Sequence, residues 1–115
     1  MTRSAQTGKR GETAAAEHLR SVGYRIHSRN VRVGHDEIDI IAYDPVDRCL
    51  VFAEVKSRRH FDPDFHPINN LTPSKKARMQ RAAQAWIDAS GYRGGWRMEA
   101  LCMIGKKAVE HVLLD

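Results

Sequence analysis

Apolar and polar residues alternate with a period of two along two neighbouring stretches, Asp36-Glu37-Ile38-Asp39-Ile40-Ile41-Ala42-Tyr43 and Cys49-Leu50-Val51-Phe52-Ala53-Glu54-Val55-Lys56. Successive side chains of a strand point to opposite faces, so each stretch reads as a β-strand. Asp44-Pro45-Val46-Asp47-Arg48 between them has the composition of a turn. A hairpin closed symmetrically about it sets Tyr43 opposite Leu50, Ile41 opposite Phe52, Asp39 opposite Glu54 and Glu37 opposite Lys56. Those eight side chains then share one face, while Ile38, Ile40, Val51, Ala53 and Val55 make the other.

The rest of the chain changes period. From Gly8 to Val22 the sequence is alanine-rich and stops at Gly23, which predicts a helix with Glu12, Ala15, Ala16, Leu19 and Val22 on one stripe. Tyr24 to Val33 reads as a strand, and Gly34-His35 turns it into the strand bearing Asp39. Beyond Lys56, residues 57–71 carry Pro63 and Pro67 among scattered acids and read as an irregular loop beside the strands. Thr72 followed by Pro73 is a helix start, and Gly91 stops that helix after Ser90. Met79, Ala82, Ala83, Trp86 and Ala89 form its apolar stripe. Strands from Trp96 to Ile104 and from Ala108 to Leu114 close the chain.

A length of 115 residues is that of a single domain, 1–115. With 42% hydrophobic and 29% charged residues the chain is globular, and no apolar run approaches a membrane span. The opening Met1-Thr2-Arg3-Ser4-Ala5-Gln6-Thr7 lacks an apolar secretion signal, which predicts cytoplasmic residence and no membrane partner. Cys49 and Cys102 lie far apart and outside any metal-type spacing, so they read as reduced core thiols. The six histidines, His18, His27, His35, His60, His66 and His111, show no ligand spacing. They point to no structural zinc site and read mostly as surface residues. A net charge of +5 favours an anionic partner, nucleic acid among them.

The hairpin carries the candidate chemistry. Directly opposed strand residues have Cβ atoms about 4.5–5.5 Å apart, and like charges placed there repel. A hard dication would offset the repulsion between Asp39 and Glu54, since Mg²⁺ takes one or two carboxylates and shares its other positions with water and phosphate. Lys56, on the same side as Glu54, would stabilise charge developing on a phosphate. Three solvated charges on an amphipathic hairpin are the plainer alternative. Glu12, on the packing stripe of the first helix, either complements the helix start or supplies a third carboxylate. Lys75, Lys76, Arg78 and Arg81 crowd the start of the second helix, where an anion would relieve them, or else they form a solvated basic face. Arg58, Arg59 and His60 would lie just beyond the hairpin.

With these residues placed, the chain resembles the YraN-like family of small bacterial proteins, which are similar to restriction-endonuclease-like nucleases and to archaeal Holliday-junction resolvases. The resemblance rests on Gly8, Gly11-Glu12, Ala15 and Leu19, on Gly23-Tyr24 and Arg29-Asn30, and on Glu37-Ile38-Asp39-Ile40-Ile41-Ala42. It extends through Val51-Phe52-Ala53-Glu54-Val55-Lys56-Ser57-Arg58 to Lys75, Arg78 and Ala82-Ala83. It implies an α/β fold with a restriction-endonuclease-like αβββαβ core, a mixed central sheet flanked by two helices. It further implies Asp39, Glu54 and Glu12 as ligands of Mg²⁺ or Mn²⁺, Lys56 as the catalytic lysine, and a homodimer acting on branched DNA in repair or recombination. Arg58, Arg59, Lys75, Lys76 and Arg78 are then the candidates for contact with nucleic acid. The chain departs from the family pattern at Asp36, where a glycine is usual, and at Phe61-Asp62-Pro63-Asp64, which replaces a Phe-Gly segment.

Three functions follow in order: a metal-dependent endonuclease on structured DNA, a nucleic-acid-binding protein that keeps the nuclease fold without turnover, and an interaction module whose basic helix meets an acidic partner.

Overall fold

The computed structural model describes residues 3–58 and 71–114, with side chains from residue 11 onward. The elements run α1 (Arg3–Ser21), β1 (Arg25–Val33), β2 (Asp36–Asp44), β3 (Cys49–Arg58), α2 (Pro73–Ser90), β4 (Gly95–Ile104) and β5 (Lys107–Leu114). One five-stranded sheet holds the strands in chain order. β1, β2 and β3 pair antiparallel, β3 and β4 parallel, and β4 and β5 antiparallel. A parallel pair cannot be joined by a tight turn, and α2 lies on the crossover between β3 and β4.

Each face of the sheet is covered by one helix, so the central strands are apolar on both sides. Ala14, Ala15, Ala16 and Leu19 of α1 pack on Ile40, Ala42, Val51, Ala53, Leu101 and Met103. Ala82, Ala83 and Ile87 of α2 pack on Ile41, Leu50, Phe52, Met98 and Ala100, with Trp86 and Trp96 edge-on to Phe52. The helix stripes differ in detail from expectation. Val22 is half exposed beyond the end of α1, and in α2 Ile87 is buried while Ala89 is exposed. Cys49 and Cys102 are buried free thiols, as expected.

The caps of α2 follow from their residue types. Thr72 has an extended backbone and its hydroxyl accepts from Lys75 N, Pro73 begins the helix, and Gly91 ends it at φ 75°, where a side chain would be strained. Midway along α1, which begins at Arg3 rather than near Gly8, the fit to the sheet is close. A Cβ on Gly11 would meet Ser57 Cβ of β3 at 2.4 Å, so only glycine allows this approach.

A buried polar network ties β4 to its neighbours. Arg97 donates to Asp44 (2.7 Å), Asp47 (2.9 Å), Glu99 (2.8 Å), the Tyr24 hydroxyl (2.8 Å) and Cys49 Sγ (2.9 Å). Glu99 also accepts from Tyr24 at 3.0 Å and bonds His111 Nε2 at 2.7 Å. Burial opposes ionisation of Glu99, but hydrogen bonds from His111 and Arg97 outweigh it and hold its pKa below the usual range. Most of the histidines read from sequence as surface residues, but His18 and His111 are half-buried and bonded to each other at 3.2 Å.

Candidate metal and phosphate site

The hairpin register holds at its closed end and gives way at the predicted site. Tyr43 pairs with Leu50, Ile41 with Phe52 and Ile40 with Ala53, and there the β2–β3 ladder ends. Asp39 and Glu54 are therefore not ladder partners, nor are Glu37 and Lys56. Instead Asp39 Oδ2 accepts a hydrogen bond from Val55 N at 2.8 Å, taking a place that strand backbone would otherwise fill. Both side chains nevertheless line one cleft. Convergence is kept by a different backbone arrangement.

The same point breaks the alternation of β1 and β2. Ile40 belongs to the core under α1, yet Ile38 belongs to the core under α2. On β1, Arg29 Nη2 donates to Thr13 Oγ1 of α1 at 3.0 Å, while Val31, two residues on, packs on the α2 side. Between them Asn30 has φ 53°, a left-handed conformation that asparagine tolerates better than most residues. Period-two reading places Ile38 with Ile40; the left-handed residue opposite Asp39 reverses that.

A cleft of about 310 Å³ opens where β2 and β3 separate, lined by His35, Asp36, Glu37, Asp39, Glu54, Lys56, Lys75, Arg78 and Met79. It joins the acids and the lysine of the hairpin to the basic first turns of α2. Lys56 Nζ lies 3.4 Å from Glu54 Oε1. Lys76 is not among the lining residues. Arg81 turns to a two-oxygen contact with Asp36, 3.1 Å at its shortest, so the acid that stands in place of the usual glycine holds α2 to β2. Arg58 ends β3 with an exposed side chain that has interactions of its own. Arg59, His60 and the remainder of the loop through residue 70 lie outside the described residues.

The electrostatics mark the acids as crowded. Burial, then the neighbouring Glu54, push the pKa of Asp39 up to about 8, against the lowering effect of the Val55 N–H, and Glu12 raises it further. Burial also raises Glu12, against a hydrogen bond from Asn30 and the charge of Arg29, while Glu37 and Glu54 add to the rise. Glu12 therefore feels the same cluster from α1, and Asn30 and Arg29 favour its charged form. Nothing in the sequence pattern assigned that role to Arg29 and Asn30. Among the described residues no three His, Cys, Asp or Glu side chains converge closely enough to enclose a metal ion. Two adjacent carboxylates on an open cleft are the donor set suited to a hard dication that keeps much of its water.

This order of elements, with a helix on each face and β5 added at the edge, is the αβββαβ core of a nuclease-like α/β domain. Residues 11–105 match the uncharacterised protein family UPF0102, and the chain belongs to that family. It is similar to the UPF0102 protein of Pelobacter propionicus, 35% identical over 113 residues that cover 93% of this chain and 79% of the relative. The UPF0102 protein of Cytophaga hutchinsonii is 33% identical over 108 residues, 94% and 93% of the two chains. That of Prosthecochloris aestuarii is 48% identical over 80 residues, 70% of this chain but only 61% of the relative. Among the described residues no helix is long and apolar enough to cross a membrane.

Proposed function

We propose that the chain is a divalent-metal-dependent endonuclease of DNA, acting on branched or otherwise structured intermediates of repair and recombination. The observation that supports this reading is the cleft itself, in which Asp39, Glu54 and Lys56 face the same space as Lys75 and Arg78. Acids that repel one another, an amine beside them and a basic helix start together suit a phosphodiester bound through its anionic oxygens.

Asp39 and Glu54 would hold Mg²⁺ or Mn²⁺, with Glu12 adding its negative field from α1. The ion, when bound, supplies Lewis acidity toward a phosphodiester and favours a nucleophile at neutral pH. Lys75 and Arg78 bind backbone phosphates and place the strand along the cleft. Lys56 donates to an oxygen of the scissile phosphate as negative charge grows there. The Val55 N–H orients the Asp39 carboxylate, so its direction is set by strand backbone.

The test is purified protein with Mg²⁺ or Mn²⁺ against linear, single-stranded, flap and four-way DNA, beside Asp39→Ala and Lys56→Ala. Cleavage that needs the metal and is lost in both folded variants supports the proposal. Full activity in either variant removes the assignment. Salt-dependent binding with no metal-stimulated cleavage replaces it with a DNA-binding role.

A further inference from the structure

The second cluster of chemical groups shares no residue with the cleft. His18, near the end of α1, and His111, on β5, lie 93 positions apart in sequence, yet His18 Nε2 and His111 Nδ1 are 3.2 Å apart with the rings edge-on. His111 Nε2 is held at 2.7 Å by Glu99 Oε1. Glu99 in turn accepts from Arg97 and Tyr24, so the carboxylate cannot swing away without breaking the buried network. With Nε2 donating to a carboxylate, Nδ1 of His111 presents its lone pair to His18.

We propose that His18 and His111 form a binding site for a borderline-soft transition-metal dication such as Zn²⁺, with Glu99 as the residue that positions the His111 ring. Two Zn–N bonds of about 2.0–2.1 Å span a nitrogen separation of 3.2 Å at an angle of about 100°, close to tetrahedral, so the rings need not move apart and only turn to aim both lone pairs at an ion beside the line that joins the nitrogens. The ion takes the place of the proton between the rings, leaving His18 in its Nδ1–H tautomer. A carboxylate that fixes the far nitrogen of a ligating imidazole is a recurrent support of such sites. Among the described residues no third acid, histidine or cysteine completes the set, so the ion keeps positions for water or an external donor. This goes beyond the nuclease reading and does not depend on it.

The experiment is a calorimetric titration of untagged protein with Zn²⁺, paired with histidine ring ¹⁵N spectra. Wild type, His18→Ala, His111→Ala and the double variant Asp39→Asn/Glu54→Gln are compared, with circular dichroism to establish folding. Beside any binding at the cleft that the double variant removes, one saturable site is expected that is retained in the double variant, is weakened about tenfold or more in each histidine variant, and shifts the rings of His18 and His111 rather than those of His27 and His35. No saturable binding in the double variant overturns the proposal. So does binding there that survives both histidine changes, or ring shifts confined to other histidines.

Discussion

Replacing Gly11 by alanine tests how α1 is seated on the sheet, and the structure sets the size of the effect. The added Cβ would lie 2.4 Å from Ser57 Cβ and 2.6 Å from Ser57 Oγ. The hydroxyl can rotate, but Ser57 Cβ is fixed to the β3 backbone, and ordinary carbon contacts are about 3.5–4.0 Å. The helix must therefore lift by roughly 1 Å, which loosens Ala14, Ala15 and Leu19 from the core beneath them. Overpacking of this kind costs about 1–3 kcal/mol. Alanine gains about 1 kcal/mol over glycine inside a helix, so the net loss is at most about 2 kcal/mol. For a chain of this size that is a fall in Tm of up to roughly 12 °C. Urea unfolding of wild type, Gly11→Ala, Ser57→Gly and the double variant forms a closed cycle. Ser57→Gly alone costs about 0.5–1 kcal/mol as a strand glycine, but it removes the obstructing Cβ. The double variant should recover most of the clash, with a coupling of about 1–2 kcal/mol between the two positions. A Gly11→Ala protein more stable than wild type, or a coupling near zero, would refute the close approach.

The remaining predictions concern the acids, the network and the basic helix. Asp39 has a folded pKa of about 8 against an unfolded value near 3.9, so the stability it contributes is full below about pH 4 and is lost as pH rises through 8. Asp39→Asn should therefore gain on wild type between pH 5 and 8.5 by something on the order of 1–3 kcal/mol in urea unfolding, and parallel pH profiles would sink the reasoning. Arg97→Ala leaves Asp44 and Glu99 buried without their guanidinium and should cost about 3–5 kcal/mol in thermal or urea unfolding. Arg97→Lys should rescue little, because a single ammonium cannot reach five acceptors. Lys75→Ala/Arg78→Ala should weaken DNA binding for all sequences and reduce the slope of log K against log salt by about 2, read by fluorescence anisotropy; an unchanged slope would remove both residues from the phosphate path.

Local pattern was enough for the elements, because the forces that define them are local. Alternation named β2 and β3, Thr72-Pro73 and Gly91 bounded α2, and the turn at residues 44–48 set the pairing of Tyr43 with Leu50 and Ile41 with Phe52. It also named Asp39, Glu54 and Lys56 as side chains that meet. Three things were decided only when the chain closed on itself. The β2–β3 ladder stops at Ile40 and Ala53 because the Asp39 carboxylate claims the Val55 N–H, an exchange of side chain for backbone that no periodicity records. Asn30 reverses the faces of β1 beside that point through a left-handed backbone, which asparagine permits but does not announce. Lys75 and Arg78 line one cleft with the acids, and His18 reaches His111, because packing on opposite faces of one sheet brings together residues too far apart along the chain for spacing to relate them.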